Sequence, residues 1–287
     1  MPRVDTTIQP VFVRPPTGDP VPLVLDSPHS GDVYPGDFRA ACAPELLRQA
    51  EDAWVDELWG AATGLGATMV AAGFPRAYID PNRALEDMDP ALLDEPWPGP
   101  IAPGDKSGRG VGLIWRLIKG EVPIYDRKLS VEEVRQRIDR YWQPYHVALD
   151  AAVDAAHARF GRVWHIDCHS MQATGNKRSV DGDGTPRADF VLGDRDGTTC
   201  EPEFTRFVAD RVAAMGYSVK VNDPYKGVEI VRRHGRPAEG RHSLQIELNR
   251  ALYMDEEAHR KIPRFDRLQA DLATLTRDLV GFIGSRP

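Results

Sequence analysis

Val163-Trp164-His165-Ile166-Asp167-Cys168, running into His169-Ser170, can be read in two ways. His165 and His169 form H-x-x-x-H, which on a helix would put both rings on one face, as in zincins; but no H-E-x-x-H occurs in the chain. The β-rich composition favours a strand over Val163 to Asp167. On a strand, four residues span roughly 13 Å, too far for two ligands of one ion that each sit about 2 Å away. At most one of the two histidines then meets a metal. His169, at the strand's exit beside Ser170, is the candidate, and His165 becomes a core or supporting histidine.

Working outward, Pro22-Leu23-Val24-Leu25 reads as a second buried strand, ended by the polar turn Asp26-Ser27-Pro28-His29-Ser30-Gly31. Apolar residues at three- and four-residue steps predict an amphipathic helix from Pro44 to about Thr63. Short β-like runs follow at Ala67 to Ala72 and Arg76 to Asp80. Residues 81–127 are too rich in Pro and Gly for regular structure throughout, and are expected to form a long loop covering a site. Ser130 with Glu133 makes a capping box before a helix to about Phe160, which Pro144 should kink. Further strands are expected at Asp189 to Leu192, Tyr217 to Val221 and Ser243 to Leu248, with helices at Pro202 to Met215 and Pro263 to Phe282. Strands alternating with helices predict an α/β fold: a three-layer α/β/α domain with a mostly parallel mixed sheet, spanning residues 1–287 as one unit. In such sheets ligands bind beyond the C-terminal strand ends, so His29, Asp80-Asn82-Arg83 and His169 should converge.

The composition narrows the functional classes. With 287 residues, 36 Lys+Arg against 43 Asp+Glu and a net charge of −7, the chain shows no broad basic surface, so neither nucleic acid nor an anionic membrane is an expected partner. No run approaches a membrane span and the start has no apolar signal core. The three cysteines, Cys42, Cys168 and Cys200, make no disulfide framework, which fits a reducing cytoplasm. The expected state is a monomer or small homo-oligomer acting on a small molecule.

Three clusters carry chemistry. His169 and His29 leave two strands in similar turns, and a carboxylate from the following helix, Glu51 or Asp52, would complete a three-ligand metal set with an open position. Asn82 and Arg83, preceded by Arg76, offer an amide and a guanidinium fork to a carboxylate ligand. Glu247 lies in the apolar run Gln245 to Arg250, where a buried carboxylate must be paired, metal-adjacent or catalytic. Gly104-Asp105-Lys106-Ser107-Gly108-Arg109-Gly110 resembles a phosphate loop in composition alone. No G-x-S-x-G elbow exposes a serine, and Cys168 reads as packing.

Taken in order, Ser27-Pro28-His29-Ser30-Gly31, Glu51-Asp52 with Val55-Asp56-Glu57-Leu58, Arg76 to Arg83, Asp167-Cys168-His169-Ser170, Asn222 to Gly227 and Gln245 to Arg250 resemble the N-formylglutamate amidohydrolases, relatives of zinc carboxypeptidases and aspartoacylases. The resemblance implies a zinc-carboxypeptidase-like fold and one zinc ion held by His29, His169 and an acid, with Asp52 aligning best and Glu51 adjacent. It also implies Glu247 as the catalytic carboxylate, Arg76 as the group that polarises the scissile carbonyl, and Asn82-Arg83 as the pair that binds a substrate carboxylate. The implied reaction is zinc-dependent hydrolysis of N-formyl-L-glutamate to formate and glutamate, a step of histidine degradation. That substrate is a dianion, and Arg178, Arg187, Lys226 and Arg232 are candidates for its second carboxylate. Competing expectations are a metallohydrolase of the same fold acting on another N-acyl amino acid or a peptide amide, and a noncatalytic binder of an acidic metabolite.

Overall fold

The computed structural model describes residues 3–5, 8–119, 121–177 and 179–286; the candidate cation Arg178 lies outside them. Its contacts group the chain into two compact units, one of Met1–Phe12, Pro28–Ala53 and Ala71–Ala148, the other of Val13–Ser27, Trp54–Val70 and Leu149–Pro287.

The chain contains a seven-stranded sheet whose central strands belong to the second unit. Its strands are β1 Val11–Arg14, β2 Leu23–Ser27, β3 Thr68–Ala72, β4 Val163–Met171, β5 Phe190–Gly193, β6 Val219–Val221 and β7 Arg241–Asn249, in the order β6-β5-β7-β4-β2-β3-β1. β2, β4 and β7 run parallel, whereas β5 runs antiparallel to β7, so the sheet is mixed. Alternation along the central strands sorts the side chains. Trp164, Ile166 and Cys168 share one face with Leu244, Ile246 and Leu248, and the other face carries His165, Asp167 and His169 in register with Ser243, Gln245 and Glu247. The eight helices used below are α1 Pro44–Arg48, α2 Val55–Leu58, α3 Asp105–Gly108, α4 Val131–Arg137, α5 Gln143–Phe160, α6 Pro202–Ala214, α7 Glu229–His234 and α8 Phe265–Gly284.

Each sheet face has its own cover. Trp164 packs 6.3 Å from Phe204 of α6, whose ring lies 5.5 Å from Phe282 of α8. α8 buries the stripe Leu268, Leu272, Leu275, Leu279 and Ile283, spaced as a helix face requires. Burial of each such side chain contributes about 1.5–3 kcal/mol. On the polar face, His234 of α7 sits 5.3 Å from the ring of His165. Helices thus flank both faces, as the α/β reading expected. Cys168 and Cys200 are buried free thiols, pushed up in pKa by burial, which suits packing residues.

Several local expectations are corrected. β4 continues to Met171, so His169 lies inside the strand. The helix expected from Pro44 to Thr63 breaks after Arg48, because the Asp52 N–H donates to the His29 carbonyl (3.0 Å) and Trp54 takes a left-handed φ of 60° before α2 begins. Arg76 to Asp80 forms turns, since Pro75 and Pro81 bracket it and the Asp80 N–H donates to the Leu113 carbonyl (2.8 Å). The 81–127 segment is mostly irregular as expected, yet Met88, Leu92, Leu93, Leu113, Ile114, Ile118 and Ile124 are buried. Ser130 and Glu133 form the reciprocal capping box of α4. A π-helical turn at Ile138–Trp142 joins α4 to α5, so Pro144 follows a widened turn. Among the described residues, no helix is long and apolar enough to cross a membrane.

Candidate metal and substrate site

In the first unit the turn after β2 delivers His29. Gly31 is required there, because a Cβ would collide with the Phe74 backbone. His29 is 1% exposed; its Nε2 lies 2.8 Å from Asp80 Oδ1 and its Nδ1 lies 3.3 Å from Asp52 Oδ2. Asp80 is the hub of this cluster. It accepts hydrogen bonds from the Asn82 backbone N–H (2.9 Å), from Arg76 Nε and Nη2 (3.2 and 2.9 Å) and from Trp115 Nε1 (3.2 Å). Burial alone would raise the Asp80 carboxyl, but Arg76, His29 and Arg83 outweigh it and hold the group well below the usual carboxylate range.

An ionised Asp80 is an acceptor that suits an Nε2–H on His29. Nδ1 then faces the Asp52 carboxylate, and a cation shared by the two would suit that pairing. Arg76 Nη1, 3.6 Å from Asp52 Oδ1, supports that carboxylate from the side, and its guanidinium stacks 5.0 Å from the Trp115 ring. Glu51 is placed differently. It accepts from the Tyr34 hydroxyl at 2.7 Å and pairs with Arg48 at 3.6 Å, so Asp52 is the acid that meets His29. Arg83 directs Nε at the Val111 carbonyl (3.2 Å) and Nη1 at the Asn82 carbonyl (2.8 Å), which fixes the plane of its fork.

In the second unit β4 builds a similar pair within one strand. His169 Nε2 lies 2.7 Å from Asp167 Oδ1, two residues earlier on the same face. Burial, reinforced by the nearby Asp26, raises the Asp167 carboxyl, with His169 opposing. Asp26 itself holds His165 Nε2 at 2.8 Å, while Ser243 Oγ meets His165 Nδ1 at 2.8 Å; His165 is a supporting histidine, as expected. Glu247 sits beside His169 in strand register and accepts from Gln245 Nε2 at 3.1 Å. Tyr225 is raised to about 12 by burial and then by the charge of Glu247.

The candidates for the second substrate carboxylate already have partners. Arg187 is bound through Nε and Nη2 to Asp181, Lys226 pairs with Asp196 at 2.8 Å, and Arg232 pairs with Glu229 at 2.7 Å.

Among the described residues, the ligand atoms of His29, Asp52 and His169 lie within 4.8 Å of one another, and all three side chains are buried. Two imidazoles and a carboxylate are a donor set suited to zinc, and Asp80 and Asp167 supply the carboxylates that orient such histidines through their other nitrogen. With Glu247 next to His169 in strand register, the α/β fold and its buried imidazole and carboxylate groups are those of a hydrolytic enzyme. A model of the N-formylglutamate amidohydrolase family matches residues 21–254, and the chain belongs to that family of amide hydrolases. It is 30% identical over 264 residues to an N-formylglutamate deformylase of Pseudomonas aeruginosa, covering 91% of this chain and 90% of that one. A Pseudomonas putida N-formylglutamate deformylase is 30% identical over 240 residues, 82% of this chain and 83% of its own. The crystal structure of N-formylglutamate amidohydrolase from Ralstonia eutropha JMP134 superposes with a TM-score of 0.92 at 52% identity, covering 96% of this chain and 98% of that one.

Asp80 was not singled out from sequence as the partner of His29. The available signal was its place at the end of an apolar run beside Asn82 and Arg83, which marked the cluster without showing which side chain would reach the histidine.

Proposed function

We propose that this protein hydrolyses the formamide C–N bond of N-formyl-L-glutamate to formate and L-glutamate, as a zinc enzyme of histidine degradation in the cytoplasm. The convergence of the His29, Asp52 and His169 ligand atoms carries the reading. These three residues would hold the zinc. Bound there, zinc supplies Lewis acidity toward a carbonyl oxygen and lowers the pKa of water.

The chain's own residues do the remaining work. Glu247, held by Gln245 beside His169, takes a proton from the attacking water and returns it to the leaving amine. Arg76, fixed by Asp80 and Trp115, places positive charge where the carbonyl oxygen becomes negative. Asn82 and the oriented fork of Arg83 receive a substrate carboxylate. The test is formate release from N-formyl-L-glutamate before and after chelation and zinc restoration. Activity lost with chelator and regained with zinc is the expected outcome. Formate release indifferent to chelation would overturn the zinc assignment, and zinc-loaded protein that releases none would overturn the substrate.

A further inference from the structure

The turn that carries Asn82 and Arg83 lies within the first unit and is buried, Asn82 being 2% exposed. Buried carbonyls need donors, and every carbonyl from Asp80 to Arg83 has one. The Asp80 carbonyl accepts from the Arg83 N–H at 3.2 Å and the Asn82 carbonyl from Arg83 Nη1 at 2.8 Å, so the turn satisfies these two itself. The other two donors come from the start of α5 and the π-helical turn before it. The Pro81 carbonyl meets His146 Nε2 at 2.9 Å, and the Arg83 carbonyl accepts from Trp142 Nε1 at 3.0 Å, across 65 and 59 residues of chain.

A carbonyl oxygen only accepts, so His146 carries its proton on Nε2. Both donors are buried, and their rings, one helical turn apart, pack with centroids 3.9 Å from each other. Together they hold the backbone on both sides of Asn82. With the two flanking carbonyls held, the peptide planes on either side are fixed, and with them the directions in which the Asn82 amide and the Arg83 fork leave the chain. The Val111 carbonyl, just past α3, holds Arg83 Nε at 3.2 Å. A guanidinium meets a carboxylate through two parallel bonds, so a small rotation of this turn would be felt in binding.

Resting on the reading that Asn82 and Arg83 receive a substrate carboxylate, we infer that Trp142 and His146 are positioning residues for that subsite, acting on it through the Arg83 and Pro81 carbonyls. Their effect is on affinity for the carboxylate. Zinc binding should be independent of them, because Asp80, the carboxylate beside His29, is held separately by Arg76 and Trp115.

The experiment compares wild type with Trp142→Phe, which keeps an aromatic ring without the N–H, with His146→Leu, which removes the donor, and with His146→Gln, whose amide can restore it. Zinc-loaded proteins are titrated calorimetrically with glutarate, a readout that needs no turnover. Trp142→Phe and His146→Leu should each bind it roughly 10- to 100-fold more weakly at unchanged zinc stoichiometry, and His146→Gln should recover most of the loss. In turnover, both losses should appear in KM for N-formyl-L-glutamate, with kcat within a few fold. N-formylnorvaline and N-formyl-γ-aminobutyrate each lack one of the two carboxylates; the analogue without the one that Arg83 holds should be handled alike by wild type and variants. Equal losses on both analogues, or His146→Gln no better than His146→Leu, would overturn the inference. If wild type binds glutarate but releases no formate, the functional reading fails while the titration still decides Trp142 and His146. Wild type that binds no glutarate would overturn the carboxylate subsite and this inference with it. Should His146→Leu not fold, Trp142→Phe carries the same comparison.

Discussion

His29 and His169 are held by the same chemistry and by opposite kinds of structure. Each presents Nε2 to a buried carboxylate, Asp80 at 2.8 Å and Asp167 at 2.7 Å. His169 and Asp167 are two residues apart on β4, so the pleat alone puts them on one face. His29 and Asp80 are 51 residues apart, each on a turn, and Asp80 is aimed by Arg76, Trp115 and the Asn82 N–H. The strand obtains orientation from backbone register; the turns obtain it from charge. The two carboxyls accordingly shift in opposite directions, Asp80 down under its cations and Asp167 up under burial beside Asp26.

The largest effect expected is on the strand-built side. Glu247→Gln should retain zinc by metal analysis yet lose turnover by roughly 10²- to 10⁴-fold. Turnover near wild type would remove Glu247 from proton transfer. Next, His29→Ala and His169→Ala should each abolish stoichiometric zinc in the purified protein. Full zinc content in either variant would break the equivalence of the two histidines.

The supporting carboxylates separate the two constructions more finely. Asp80→Asn and Asp167→Asn should each weaken zinc binding by roughly 10- to 100-fold in a competition titration. Their stabilities should diverge. Asp80→Asn strips the anion from Arg76 and should cost roughly 3 kcal/mol or more in urea unfolding of the apoprotein. Asp167→Asn removes a charge that burial already opposes and should cost about 1 kcal/mol. Equal costs would show that charge and register support the two histidines alike.

The smallest effect concerns the helix start behind the turn-built side. Ser130→Ala should cost about 1 kcal/mol at pH 7. Glu133, the reciprocal partner, is lowered to about 2, first by its hydrogen bond from Arg127. A depressed carboxyl stabilises above its unfolded pKa of about 4.3, and that contribution is lost as pH falls through its folded value. The stability difference between wild type and Glu133→Gln should therefore shrink between pH 5 and 2 in urea titrations.

The same contrast explains how much of the molecule was legible in sequence. β4 and β7 were recognised as strands, though both run longer than expected, because burial forces a continuous β-rich run; strand spacing alone also kept His165 out of the group formed by His29, Asp52 and His169. The capping box of α4 was equally local. The break after Arg48 was not visible, because it depends on the Asp52 N–H finding the His29 carbonyl 23 residues away. Nor was the turn at Arg76 to Asp80, whose apolar run imitates a strand while its backbone bonds go to Pro75 and Leu113.

The π-helical turn at Ile138–Trp142 has an angular consequence. At its last residue Trp142 Nε1 donates to the Arg83 carbonyl at 3.0 Å, and one turn further on His146 Nε2 meets the Pro81 carbonyl at 2.9 Å. Both side chains clamp the backbone on either side of Asn82. Removing one residue from the widened turn would restore a regular helix and rotate everything after it by about 100°. Trp142 and His146 would then face away from the carbonyls they now grip. The wide turn works as a phase adjuster: it sets the azimuth of α5 so that one helix face reads the 81–83 backbone, and an insertion or deletion there would be felt at Arg83 rather than in the helix itself.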